Sequence, residues 1–303
     1  LDKLDFSVVV ITRNRPSILA QCLDHLALQV LPASEILVID SSEDFVPLEQ
    51  YPGVKHVHFP AGRNQMPKAR NEGARLASGA VIAYIDDDCL VDENWLACLA
   101  DSYHRRPGLA GVGGRIVDAR WKYNPAGPIG KATSDGYILA NFFGDPGELV
   151  EADLLPGGNM SFRRDWLLRS GGFDPRYVAT NHREDPDFCL RLRRAGGVLA
   201  YQGRAIAHHL NARNALGELS PWHEFYLRYS YGRNEGFFLC RHFPREVVRR
   251  WFEDSMQQAK RSYSARSIVA FLCIWVQFFA FGLGIASYLI DGKVPREIPS
   301  TRG

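Results

Sequence analysis

The sequence predicts an α/β fold, a mostly parallel sheet flanked by helices, and two observations carry that prediction. Short apolar, β-branched runs alternate with helix-like segments from residue 6 to residue 85, the pattern of units whose strands lie parallel. The polar residues that break this pattern fall directly after the strands, where ligands bind in sheets of this kind.

Each element has its own signature. Residues 6–12 (FSVVVIT) are continuous and β-branched, as a strand buried on both faces must be. Pro16 suits the first turn of a helix running to about residue 28, because its fixed φ and missing N–H cost nothing there. Residues 35–40 (EILVID) and 54–59 read as further strands. A helix over 67–77 stops before Gly79, and the apolar run 80–85 ends abruptly in Asp86, Asp87 and Asp88. Residues 120–150 are rich in Gly, Pro and Asn and read as a loop-dominated insertion, with regular structure resuming near Gly157. A helix from about Glu184 to Gly196-Gly197 and short strands over 198–201 and 205–209 complete this part. The expected organisation is a domain over 1–220, with halves 1–118 and 119–220, followed by a helical tail over 221–303.

Composition narrows the function. At 46% hydrophobic and 23% charged residues the chain is too apolar to be disordered. A net charge of +2 offers no global attraction for nucleic acid. Six cysteines without a C-x-x-C pair argue against a zinc site or disulfide framework and for buried thiols in a reducing compartment. The residues from Leu1 onward show no secretory signal pattern. In the tail, residues 241–266 hold seven Lys/Arg against three Asp/Glu. Residues 268–290 then run 23 positions without a charge, 19 of them apolar, enough to enter a membrane as a span of roughly 20 residues or as an interfacial helix. The basic flank suits an anionic cytoplasmic leaflet.

Three consecutive aspartates at the end of a buried strand repel one another unless a positive partner binds. A divalent ion bridging to a diphosphate meets that need with hard oxygen ligands. The alternative is a solvated acidic turn. Alternate residues Asp86 and Asp88 can point the same way in extended chain.

Five blocks then carry a resemblance: VVVITRNRP (8–16), EILVIDSSED (35–44), KARNEGARLASGAVIAYIDDD (68–88), PGGNMSFRRDWLLRSGGFDPRY (156–177) and REDPDFCLRLRRAG (183–196). Each is weak alone, but together, in order over residues 5–210, the chain resembles family 2 glycosyltransferases, which have the GT-A fold and invert the anomeric configuration. The resemblance implies a nucleotide-diphospho-sugar donor, most often UDP-linked, with Mn²⁺ or Mg²⁺. It places Thr12, Arg13, Asn14, Asp40, Arg70, Asp86 and Asp87 at the nucleotide sugar. It implies Asp86, Asp88 and His209 as metal ligands, with His208 in reserve, and Asp185 as the catalytic base, with Asp187 as a weaker alternative. Gly158, Asn159, Glu184 and Trp222 fall on the acceptor or sugar side, although for Trp222 packing in the core is the plainer expectation. Arg13 stands where relatives often carry an aromatic, so a guanidinium would replace ring stacking on the base. Arg70 could instead be a surface ion-pair former on its helix.

The implied reaction is non-processive transfer to a glycan, lipid-linked or polysaccharide acceptor, on the cytoplasmic side of a membrane that the tail engages. Val247 occupies the Gln position of the Q-x-x-R-W motif of processive synthases, which ends here in Arg250-Trp251. Two alternatives are a catalytically silent scaffold on the same fold and a sugar nucleotidyltransferase. The latter lacks its Gly-rich loop, because TRNRP stands there.

Overall fold

The computed structural model describes residues 4–60, 65–211, 221–264 and 268–291. Its elements in chain order are β1 (Phe6–Thr12), α1 (Pro16–Ala27), β2 (Glu35–Asp40), β3 (Val54–His58), α2 (Met66–Leu76), β4 (Val81–Asp86), β5 (Cys89–Val91), α3 (Trp95–Arg105) and β6 (Leu109–Val117). There follow β7 (Lys131–Ala132), β8 (Ile138–Leu139), β9 (Leu149–Ala152), β10 (Asn159–Arg163), α4 (Arg164–Arg169), α5 (Glu184–Arg194) and β11 (Val198–His209). Three helices close the chain: α6 (Pro221–His242), α7 (Arg245–Ser264) and α8 (Ile268–Asp291).

The central sheet has the order β3-β2-β1-β4-β10-β6-β11-β5, with β9 also paired to β11. β3, β2, β1 and β4 are mutually parallel, as are β6 and β11, while β10 runs antiparallel between β4 and β6. The carboxyl ends of β1, β2, β4, β6 and β11 therefore open on one edge, joined there by the start of β10. Chain reversal at β1, which pairs with both β2 and β4, leaves a crevice between their ends.

Alternation along each strand sends side chains to both faces. Val8, Val10 and Val38 pack with Leu19, Leu23, Trp95 and Leu99 on one face. Val9, Leu37, Ile39 and Tyr84 pack with Phe162, Phe173 and Phe188 on the other. A third cluster of Tyr177, Phe237, Phe238, Leu239, Val247 and Phe281 docks the last helices.

The structure departs from the sequence reading in two places. Regular structure resumes well before Gly157, in the short β7–β8 pair and in β9. The two short strands expected over 198–209 are one strand with a register irregularity between Gln202 and Ile206, so Gly203-Arg204 is a bulge rather than a turn.

Candidate active site

The three aspartates close β4 and lead into β5, and each is held differently. Asp87 is buried, accepts a hydrogen bond from the Thr12 hydroxyl at 2.7 Å and pairs with Arg15 at 3.2 Å. Burial pushes its carboxyl up to about 7 against the pull of Arg15 and Thr12. Asp88 pairs with Arg15 at 3.0 Å and with Nε2 of His209 at 3.4 Å. Burial opposes its ionisation, but His209 and Arg15 outweigh it and hold it below the usual range. Asp86 is raised by burial and by the charge of Asp88, opposed chiefly by Arg70.

His209 reaches Asp88 because the end of β11 pairs with the start of β5, His209 opposite Cys89. Its Nδ1 is hydrogen-bonded to Asp118 at 3.1 Å. Hydrogen bonds to Asp88 and Asp118 lift its pKa to about 9. A carboxylate on the far nitrogen of an imidazole is the arrangement that fixes ring and tautomer in metal sites. Ligand atoms of Asp88, Cys89 and His209 lie within 4.8 Å of one another, and a carboxylate with an imidazole suits Mn²⁺. His208 points elsewhere, to Asp92 at 2.9 Å, as strand alternation requires.

Arg70 is not on the surface. It is 1% exposed, on the face of α2 turned to the sheet. It pairs with Asp86 at 3.2 Å, pairs with Glu184 and donates to the Gly157 carbonyl at 3.1 Å. The guanidinium thus ties the end of β4 to the start of α5. Between them lie Gly157 and Gly158. A Cβ on Gly157 would stand 2.9 Å from Oδ2 of Asp185, and one on Gly158 3.0 Å from Oδ2 of Asp86. The paired glycines therefore leave room for both carboxylates against one stretch of backbone. Burial raises the Asp185 carboxyl, opposed by Arg70. Arg183, just before α5, has φ 75° and holds Glu235 on α6 at 2.7 Å. This left-handed turn aims the first residues of α5 at the cleft.

Asp187 does not share the position of Asp185. It is fully buried and pairs with Arg191, Arg241 and His242 at 2.8–2.9 Å, so it has no access to a substrate. Asn159 is likewise spent inside the protein. It accepts from the Trp95 indole at 2.8 Å and donates to the carbonyls of Arg115 and Ala205. Trp222 is 80% exposed at the start of α6, which overturns its expected place in the core.

At the β1–β2 end, Asp40 is buried, accepts from the Ser42 amide at 2.7 Å and meets His56 at 3.0 Å. The Phe45 ring lies over His56 and His58 at 4.4 and 4.9 Å. Asn14 (φ 54°) bonds Ser42 and Glu43 through its backbone and side chain, and Arg13 pairs with Glu43 at 2.7 Å. The flat surfaces at this end are thus Phe45, its imidazole partners and the Arg13 guanidinium. The sequence reading missed Arg15, Cys89, Asp118 and His56. Asp118 carried the same signal as Asp86, an acid directly after an apolar strand.

Comparison with known proteins identifies the family and the fold. The family model described as glycosyl transferase family 2 matches residues 7–170. A glucosyl-dolichyl phosphate glucuronosyltransferase of Haloferax volcanii is 27% identical over 154 residues, 46% of this chain and 46% of that protein. The chain spans less than half the length of the curated relatives it matches. A mannosyltransferase of Pyrobaculum calidifontis, solved with GDP-Man and Mn²⁺, aligns over 96% of this chain and 88% of its own at TM-score 0.52 and 15% identity. GalNAc-T7, solved with UDP, GalNAc and Mn²⁺, covers 79% of this chain and 50% of its own at TM-score 0.59 and 17% identity. At these identities the two structures establish a shared GT-A fold.

Proposed function

The chain belongs to glycosyl transferase family 2, and we propose that it performs metal-dependent, inverting, non-processive transfer of a sugar from a nucleoside diphosphate to an acceptor hydroxyl. One observation carries this reading: Asp86 and Asp185 both lie against the Gly157-Gly158 backbone, on the sheet edge that also presents Asp88 and His209. A donor site and a base would share one cleft there.

Thr12, Arg13, Asn14 and Asp40 line the nucleoside end, where the Asp40 carboxylate would accept from a base or ribose donor. UDP is the expected carrier. Asp88 and His209, with Asp86, would hold Mn²⁺ or Mg²⁺, and Asp118 would keep the far nitrogen of His209 occupied. When bound, the ion supplies positive charge to the departing diphosphate. Asp87, tied to Thr12 and Arg15, sets the shape of the turn rather than entering the ion's shell. Gly158 and Glu184 border the sugar.

Asp185 acts as general base. Its carboxylate takes the acceptor hydroxyl proton as that oxygen attacks the anomeric carbon. The bond from that carbon to the diphosphate oxygen breaks, its electrons leave with the nucleotide, and the configuration inverts. Burial raises this carboxyl, which moves it toward working pH, where a base is most effective. The charge of Arg70 opposes that rise. The acceptor is a glycan or lipid-linked hydroxyl, and the apolar tail brings the enzyme to the cytoplasmic face of the membrane.

Asp185→Asn tests the assignment. Donor binding should stay within about twofold while transfer falls about 10²–10⁴-fold, and the wild-type product should show the inverted anomer by NMR. Transfer near the wild-type rate, or a retained anomer, would remove Asp185 from this role.

A further inference from the structure

We infer that α8 lies in the plane of an anionic bilayer and does not cross it, its outer stripe docking on the lipid together with Trp222 and Tyr229 of α6. This deepens the reading of the tail as the membrane anchor and is independent of the catalytic assignment.

By composition α8 passes as a span: residues Leu272–Ile290 have mean hydropathy 1.8. Its neighbours exclude that use. α8 packs on α6 with backbone touching backbone. A Cβ at Gly232 would collide with the Gln277 carbonyl oxygen, one at Gly236 with that of Phe281, and one at Gly284 with that of Arg233. Arg228 donates to Gln277 at 3.1 Å and Arg233 to Ser287 at 2.9 Å. α6 is in turn fixed to the catalytic half, through Arg233 to the Arg176 carbonyl at 2.5 Å and Asn234 to the Val178 carbonyl at 2.9 Å. The stretch from Gln277 to Ser287 is therefore held against arginines and the enzyme body. Ahead of it remain the nine residues 268–276, about 13 Å of helix against a hydrocarbon core of about 30 Å. A crossing would carry Arg228, Arg233 and Glu235 into hydrocarbon.

The opposite face of α8 is bare. Leu272, Phe279, Leu283 and Ile290 are exposed and recur at intervals of seven, four and seven residues, one straight stripe on a helix. The stripe runs about 27 Å without a charge. α6 exposes Trp222 (80%) and Tyr229 (40%), seven residues apart and so on one side of that helix, side chains with an apolar ring and a polar tip that gather at headgroup level. The α7 sequence carries five Lys/Arg against three Asp/Glu, matching anionic headgroups. Apolar stripe, amphipathic aromatics and basic flank are together the chemistry of an interfacial helix, whereas a second copy of the chain would call for no such graded face.

The test uses the full chain with phosphatidylcholine vesicles, with and without 30% phosphatidylglycerol. The chain should float with the vesicles, more strongly with the anionic lipid. Phe279→Glu/Leu283→Glu, both exposed, should lower the partition at least tenfold with an unchanged melting curve. Trypsin added outside should cut the bound protein after Lys293 and Arg296 without detergent, because both ends of α8 lie on the outer side. As a check needing no variant, lipids brominated near the headgroup should quench tryptophan fluorescence more than lipids brominated near the chain terminus. Protection of Lys293 and Arg296 until detergent is added, or stronger quenching by the deep probe, would mean a span and overturn the inference. So would failure of the wild type to float, or a dimer in sedimentation that the double variant dissolves without vesicles.

Discussion

Replacing Arg70 by methionine removes the cation that joins the carboxylates of β4 and α5. The guanidinium is 1% exposed and serves Asp86, Glu184 and the Gly157 carbonyl together. Its loss leaves Glu184, itself 3% exposed, without its partner. Breaking a buried ion pair from one side costs about 3–5 kcal/mol, because the remaining charge must be neutralised or rehydrated. At about 2–4 °C per kcal/mol for domains of 150–250 residues, the melting temperature should fall by about 6–20 °C. Scanning calorimetry and urea denaturation measure it directly. Arg70→Met/Glu184→Gln should lose less than Arg70→Met alone, because the stranded carboxylate is gone. Arg70→Lys should recover only part of the loss, since a point charge cannot fork between two carboxylates and a carbonyl. A loss below about 1 kcal/mol, the range of exposed pairs, would refute the argument that this arginine organises the cleft.

Two further predictions concern charge. The His209 pKa of about 9 stands above its ordinary 6.5. Its bonds to Asp88 and Asp118 thus stabilise the metal-free protein fully below pH 6.5, and that contribution is lost as pH rises through 9. Because a ligating imidazole must be neutral, Mn²⁺ affinity should climb between those values with proton release. Calorimetry in buffers of different ionisation enthalpy counts the protons, and Asp118→Asn should reduce them; a pH-independent affinity would contradict the ligand role. Asp187 is buried, yet Arg191, His242 and Arg241 hold its carboxyl well below the usual range, so its contribution is present above the ordinary 3.8 and shrinks as pH falls below it. Asp187→Asn should cost about 3–5 kcal/mol at pH 7 in urea denaturation, and the gap from wild type should narrow below pH 3.8; a constant gap would show that packing rather than charge is lost.

Much of this was legible because buried parallel strands are continuous apolar runs. β1, β2 and β4 and the acids that end the last two, Asp40 and Asp86 to Asp88, stand out for that reason. Partnerships across the fold were not. Nothing local distinguishes Arg70 from the other polar residues of α2, and its burial follows from the close seating of α2 on the sheet, where a Cβ at Gly73 would collide with Val9. Asp187 stood as a weaker alternative to Asp185 rather than as a buried structural acid because its lock comes from Arg241 and His242, more than fifty residues onward. Periodicity showed α8 as apolar, but Gly232, Gly236 and the arginines that pin it belong to α6.

The central claim is a nucleotide-sugar site built on a divalent ion, and thermal denaturation against a panel of nucleoside diphosphates, each with Mn²⁺ or with chelator, tests it most directly. Ligand at 100 times its Kd stabilises the folded chain by about 2.7 kcal/mol. One nucleotide, expected to be UDP, should raise the melting temperature with Mn²⁺ only, and Asp88→Ala should abolish the shift. No shift with any nucleotide, or a shift of equal size with chelator and in Asp88→Ala, would contradict the account.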